Sequence, residues 1–134
     1  MTLNIAQEGI EIGIVTRDAG PMLEFYRDIL GLELERELLM ANGVHMTRLK
    51  CGPNIIKLVV NPKEPKADAP AGGAAGATGY RYWTIPITNI DEAIATCEAA
   101  GCEIPVPVTV ISPGIKIAMV ADPDGNWVNF LQRD

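Results

Sequence analysis

The sequence predicts an α+β protein of two tandem βαβββ modules, their strands forming a curved mixed sheet around a central trough with the helices on its convex face. Three observations predict this. Similar segments recur at an offset of 71 residues: Glu11–Asp18 overlays Tyr82–Asn89, and Gly43–Leu49 overlays Gly114–Val120. Identities are few, but hydrophobic pattern, helix starts and turns coincide, and internal repetition sets architecture before any finer cue. Each half carries a strand-like run, a helical run and three further strand-like runs. Between the halves, residues 62–78 are rich in Pro, Ala and Gly without periodicity, which predicts a flexible linker. A single domain is expected, with module 1 over residues 8–61 and module 2 over 79–134.

In the first module, Ile10, Ile12 and Ile14 alternate with Glu11, Gly13 and Val15, the period-2 pattern of a strand. Asp18 suits a helix N-cap with Pro21 in the first turn. Met22, Phe25, Tyr26, Ile29 and Leu30 follow at helical spacing, and Gly31 suits the stop. Strands are expected over 32–40, 44–50 and 54–60, separated by turn signals at Ala41-Asn-Gly43 and Cys51-Gly-Pro-Asn54. The second module reads alike: a strand over 80–87, a helix capped by Asn89 and ended by Gly101, then strands over 103–110, 115–121 and 127–132. Pro105 and Pro107 confine the first of these last three to a sheet edge.

Composition excludes several classes. The chain has 134 residues, 48% of them hydrophobic and 21% charged, ordinary values for a globular protein. Its net charge of −6 argues against a nucleic-acid partner. No apolar run approaches the roughly 18 residues of a membrane span, and no basic stretch leads into an apolar one near Met1, so a cytoplasmic protein is the expectation. Cys51, Cys97 and Cys102 lack zinc-type spacing and suit reduced, partly buried thiols.

Alternation also sorts the faces. Ile10, Ile12, Ile14, Trp83, Ile85 and Ile87 are expected to pack on the helices. Glu11 and Tyr82 point away from them, with Lys57 and Asn129 joining from the last strand of each module. A polar quartet in an otherwise apolar trough is a candidate small-molecule site.

On these features the chain resembles the vicinal oxygen chelate superfamily, which includes glyoxalase I, extradiol dioxygenases and bleomycin-resistance proteins. The resemblance rests on the doubled βαβββ pattern, on Leu23-Glu-Phe-Tyr-Arg-Asp-Ile-Leu-Gly-Leu32, and on Asp122-Pro-Asp-Gly-Asn-Trp-Val-Asn-Phe-Leu-Gln132. It implies a homodimer, which the length of residues 62–78 permits by pairing or by swapping of modules. It also implies a metal between the modules on His or Glu ligands, at positions that fall here on Glu11, Lys57, Tyr82 and Asn129. An ammonium has no lone pair to donate, a phenol is a poor ligand, and a carboxamide offers one weak oxygen. No metal and no other cofactor is therefore expected.

Without a metal, Glu11 becomes a candidate general base, with Lys57 and Tyr82 as donors to a developing oxyanion. Asn129, Thr84, Trp127, Arg48 and His45 are the candidate substrate contacts. Trp127 suits either an aromatic wall or core packing. His45, the one histidine, has no second imidazole beside it and suits an edge or core position as well. Arg48 and Arg81 could meet an anionic substrate or stand solvated. Two readings remain open: a metal-independent lyase or isomerase working by proton transfer, and a drug-sequestering protein of the bleomycin-resistance kind.

Overall fold

Alternating residues of the first half build β1 (Glu11–Val15), β2 (Glu33–Leu39), β3 (His45–Cys51) and β4 (Asn54–Val60) in the computed structural model, which describes residues 1–134. They form one four-stranded sheet in the order β1-β4-β3-β2, with β1 parallel to β4 and the other pairs antiparallel. The second half repeats this with β5 (Tyr82–Pro86), β6 (Val106–Ser112), β7 (Ile115–Ala121) and β8 (Trp127–Arg133), in the order β5-β8-β7-β6. The α+β class and the doubled βαβββ pattern are thus observed as two four-stranded mixed sheets. The chain divides into two units, residues 1–66 and 67–134.

In the first unit, α1 (Ala19–Leu23) starts at Asp18, whose Oδ1 accepts from the Gly20 N–H at 2.9 Å. A continuous α-helix was expected, but the chain widens into a π-helical turn over Glu24–Ile29, closed by the Leu30 N–H on the Phe25 carbonyl at 2.9 Å. The physical reason lies in two adjacent aromatics. In an α-helix successive side chains diverge by ~100°, yet Phe25 and Tyr26 are both buried, edge to face with centroids 4.8 Å apart. The wider turn lets both enter the core with Met22, Leu49, Ile56 and Leu58. Each such side chain contributes roughly 1.5–3 kcal/mol on burial. Ile10 does not join them. Its backbone pairs with Asn54 and Ile55, but its side chain is 63% exposed because the strand pairing starts where helix cover is absent.

In the second unit, α3 (Ile90–Ala99) buries Ile90, Ile94 and Cys97 over β6, β7 and β8. Asn89 stands at its N-cap without capping through its side chain. Its amide donates to Glu92 instead, and Gln132 Oε1 of β8 takes the Ile90 N–H at 2.8 Å. The helix ends in a Schellman turn, with Cys102 N–H on the Cys97 carbonyl, Gly101 N–H on that of Glu98, and Gly101 at φ 81°. The side-chain contact that accompanies this motif is made here by two thiols. Burial pushes the Cys97 thiol up to about 11, and Cys51, Cys97 and Cys102 are all free.

Both far edge strands carry register breaks, at Leu34/Arg36 in β2 and at Val106/Thr109 and Val110/Ser112 in β6. Pro107 lies inside the first β6 break, where a missing N–H costs no ladder bond. Strand β6 accordingly begins at Val106, three residues later than expected. The Pro/Ala/Gly-rich stretch was expected to lack structure of its own. It contains a short helical turn, α2 (Gly73–Gly76), whose first residue is buried. No helix is long and apolar enough to cross a membrane.

Candidate functional site

The face of the first sheet that carries Glu11 joins charged side chains from all four strands into one network. Glu11 stands on β1. In the parallel register Gly13 lies beside Lys57 of β4, and Lys57 lies directly opposite Arg48 of β3. The β2 bulge then inserts Glu35 between Leu34, paired to Leu49, and Arg36, paired to Arg48. Glu11 Oε1 accepts from Lys57 Nζ and from Arg48 Nη1, each at 2.9 Å, and Arg48 Nε donates to Glu35 Oε2 at 3.2 Å. The four heads are partly covered, from 17% exposed at Arg48 to 33% at Glu11. Arg36 Nε extends the chain, 3.7 Å from Glu35 Oε1, so that cations and carboxylates alternate from Lys57 to Arg36.

This arrangement sets the chemistry of Glu11. The hydrogen bond from the Lys57 ammonium, then that from the Arg48 guanidinium, holds the carboxyl below the ordinary value of 4.5, against the smaller opposing effect of burial. The same partnership raises Arg48. A carboxyl with a lowered folded-state value adds stability above its unfolded value and loses it as pH falls through the folded one. Glu11→Gln should therefore melt below the parent at pH 7, and the gap should close only below about pH 4.5. Melting curves from pH 7 to pH 3 check this; a gap independent of pH would mean the ion pairs are not formed in solution.

The second unit positions the remaining candidates on the face of its own sheet turned away from α3. Tyr82 pairs with Trp127, and Thr84 pairs with Asn129. Asn129 Nδ2 donates to Thr84 Oγ1 at 3.1 Å, while Asn129 Oδ1 is buried with no partner. Gly73 rests flat against the Trp127 indole: a Cβ there would lie 2.0 Å from Cδ2. Arg81 holds this turn by donating to the carbonyls of Gly73 and Pro70 at 2.6 Å and of Ala71 at 3.3 Å.

The quartet of polar positions thus resolves into two pairs, one per unit. The register also settles the alignment of the last strand. Gly13 is beside Lys57 as Thr84 is beside Asn129, so the offset there is 72 rather than 71. Leu58, which the strict offset would select, is buried on the helix side. Arg48 joins Glu11 and Lys57, but as a partner of Glu11 and Glu35 rather than a free anion receptor. Arg81 is likewise occupied, by backbone carbonyls. His45 does not join: it lies on β3 an odd number of residues from Arg48, so strand alternation sends it to the opposite face. Glu35 and Gly73 escaped the sequence reading. A bulge and a glycine contact leave no periodic signal.

These residues do not fit a divalent ion. The Lys57 ammonium stands 2.9 Å from the lone carboxylate of the set, and the Asn129 carboxamide is turned to Thr84. No group of three or more His, Cys, Asp or Glu side chains that could hold a metal occurs. The fold itself, two βαβββ modules each with parallel first and last strands, defines a glyoxalase-type protein. A family model described as the Glyoxalase/Bleomycin resistance protein/Dioxygenase superfamily matches residues 10–130, and the chain belongs to that superfamily.

Among its relatives, the uncharacterized protein YwbC of Bacillus subtilis (strain 168) is 25% identical over 126 residues, spanning 90% of this chain and 94% of that one. A glyoxalase family protein from Bacillus cereus shares the fold at 17% identity, with a TM-score of 0.83 over 98% of this chain and 96% of that one. The structure of lactoylglutathione lyase from Agrobacterium tumefaciens is similar at 25% identity, with a TM-score of 0.64 over 92% and 91% of the two chains.

Proposed function

We propose that this protein binds a small organic molecule without the aid of a divalent ion, and that it holds the molecule rather than converting it. The observation that carries this is the saturation of Glu11. Proton abstraction near pH 7 calls for a base whose pKa lies near the operating pH. Glu11 is shifted the other way, with one oxygen already accepting from two cations. The Glu11 carboxylate, 2.9 Å from Lys57 Nζ, also offsets the positive charge that Lys57 would bring to an oxyanion. A sequestering protein needs none of these groups to be reactive; it needs them fixed, and a chain of ion pairs across four strands fixes them.

A proton-transfer lyase or isomerase is the second reading. Glu11 Oε2 carries no hydrogen bond and the side chain is one-third exposed, so a substrate could reach it. Likeness to a lactoylglutathione lyase favours the same class. In that reading Glu11 is the base, and Lys57 and Tyr82 donate to the oxyanion.

The test uses purified protein, elemental analysis and a mixture of methylglyoxal and glutathione. No stoichiometric metal, no effect of chelators on Tm, and no lactoylglutathione formed, together with a small molecule retained from a metabolite extract in native mass spectrometry, is the expected result. About one equivalent of zinc, nickel, iron or manganese would overturn the metal-free assignment. Turnover abolished by Glu11→Gln would replace binding with the lyase reading.

A further inference from the structure

Helix α3 ends on a pair of cysteines whose side chains the closing turn brings together. Cys97 and Cys102 occupy the two positions of the Schellman turn that make its side-chain contact. The Cys102 N–H donates to the Cys97 carbonyl at 3.0 Å. With covalent geometry on either side, that bond keeps the two Cα atoms within roughly 6.5 Å. Disulfides span roughly 4.4–6.8 Å between Cα atoms. The thiols themselves are hydrogen-bonded, Cys97 donating to Cys102 Sγ.

Both residues are held from outside the pair. Cys97 is 0% exposed, on the same buried face of the helix as Ile90 and Ile94. The chain leaving Cys102 is fixed by the Ala121 N–H of β7, which donates to the Glu103 carbonyl at 3.0 Å. The two sulfurs differ in access and in chemistry. Cys102 is half-buried, so a reagent reaches it, whereas Cys97 is sealed in the core. Burial raises both thiols, and the hydrogen bond then separates them, holding the proton on Cys97 and favouring the thiolate of Cys102. The thiolate is the attacking species in thiol chemistry.

We propose that Cys97 and Cys102 form a reversible dithiol–disulfide site that exchanges with low-molecular-weight disulfides such as oxidised glutathione. The Cys102 thiolate attacks one sulfur of the small disulfide, forming a mixed disulfide and releasing the first glutathione as its thiolate. Cys97 then loses its proton to water and attacks Cys102 Sγ. The Cys97–Cys102 bond forms and the second glutathione leaves. The protein dithiol gives up two electrons and two protons, and the small disulfide takes them up as two thiols.

The test equilibrates the full natural chain, without oxygen, in glutathione buffers of rising oxidised fraction. Alkylation of the remaining thiols and peptide mass spectrometry then read Cys97 and Cys102 separately. The folded chain should lose two hydrogens across this pair with neither thiol alkylated, and dithiothreitol should reverse the change. Half-oxidation should need about tenfold less oxidised glutathione than in concentrated urea, because the folded turn presets the pair. Cys97→Ser should instead retain one glutathione on Cys102, and Cys102→Ser should take up none. The comparison of folded and urea-treated chain needs no substitution, so it decides the matter even where Cys97→Ser fails to fold. Equal midpoints in the two conditions would overturn the proposal, as would a folded chain that stays alkylated at both thiols or stops at the mixed disulfide.

Discussion

Replacing Gly73 with alanine should destabilise the fold by about 2–4 kcal/mol and shift the emission of Trp127. Two costs add. Gly73 sits at φ 50°, a left-handed conformation that costs an L-residue roughly 1–2 kcal/mol. Its new methyl would also lie 2.0, 2.2 and 2.4 Å from three carbons of the Trp127 ring, well inside contact distance. An indole is rigid and cannot fold aside as a lysine would, so the turn or the ring must move, an overpacking of roughly 1–3 kcal/mol. Denaturant unfolding followed by tryptophan fluorescence, in a Trp83→Phe background, reads both effects. A change under about 0.5 kcal/mol with unaltered emission would mean that the turn does not lie on Trp127.

Gly9→Ala should cost more, about 3–5 kcal/mol, because the obstacle is backbone. A Cβ at Gly9 would stand 1.6 Å from the Pro53 carbonyl oxygen and 2.4 Å from its carbon. The strand start must therefore leave the Cys51–Asn54 turn, taking with it the Ile10 N–H bond to Asn54 Oδ1 at 3.0 Å and the Ile55 N–H bond to the Ile10 carbonyl at 2.9 Å. Each bond contributes roughly 0.5–1.5 kcal/mol. Hydrogen exchange at Ile55 should quicken alongside the fall in stability. Gly13→Ala is the matching control, with nothing within 4 Å of its Cβ, and should leave stability within about 0.5 kcal/mol of the parent. If the two alanines behave alike, the first strand does not enter the sheet as described.

What the sequence disclosed, and what it withheld, follows from the range of the physics involved. The doubled modules were legible because alternation and helical spacing are local, and Ile12–Ile14 or Ile90–Cys97 carry them in the order of the residues. Glu11 and Lys57 were legible as a pair because two strands with known faces leave few alternatives. Glu35 was not, since one inserted residue in β2 decides which side it faces, and the charges of Glu33, Glu35 and Glu37 look alike in sequence. The π-helical turn was hidden for a similar reason: the i to i−5 bond of Leu30 depends on how two neighbouring rings pack in three dimensions. The glycine-rich stretch lacked any periodic signal because its order comes from an indole and a guanidinium elsewhere in the unit.

The broken register of β6 bears on how this protein avoids its own kind. Val106-Pro-Val-Thr-Val-Ile-Ser112 is a seven-residue run of β-forming side chains without one charge, and Val110 and Ile111 are 64% and 54% exposed. Such a run on an open edge is the composition from which cross-β fibres grow. Growth needs a flat, continuous row of N–H and C=O groups, and Pro107 together with two register shifts interrupts that row twice in seven residues. The irregularity that makes β6 a poor strand thus acts as a gatekeeper against aggregation. Straightening it, for instance by Pro107→Val, would improve the sheet locally while giving the chain a template for stacking on further copies of itself.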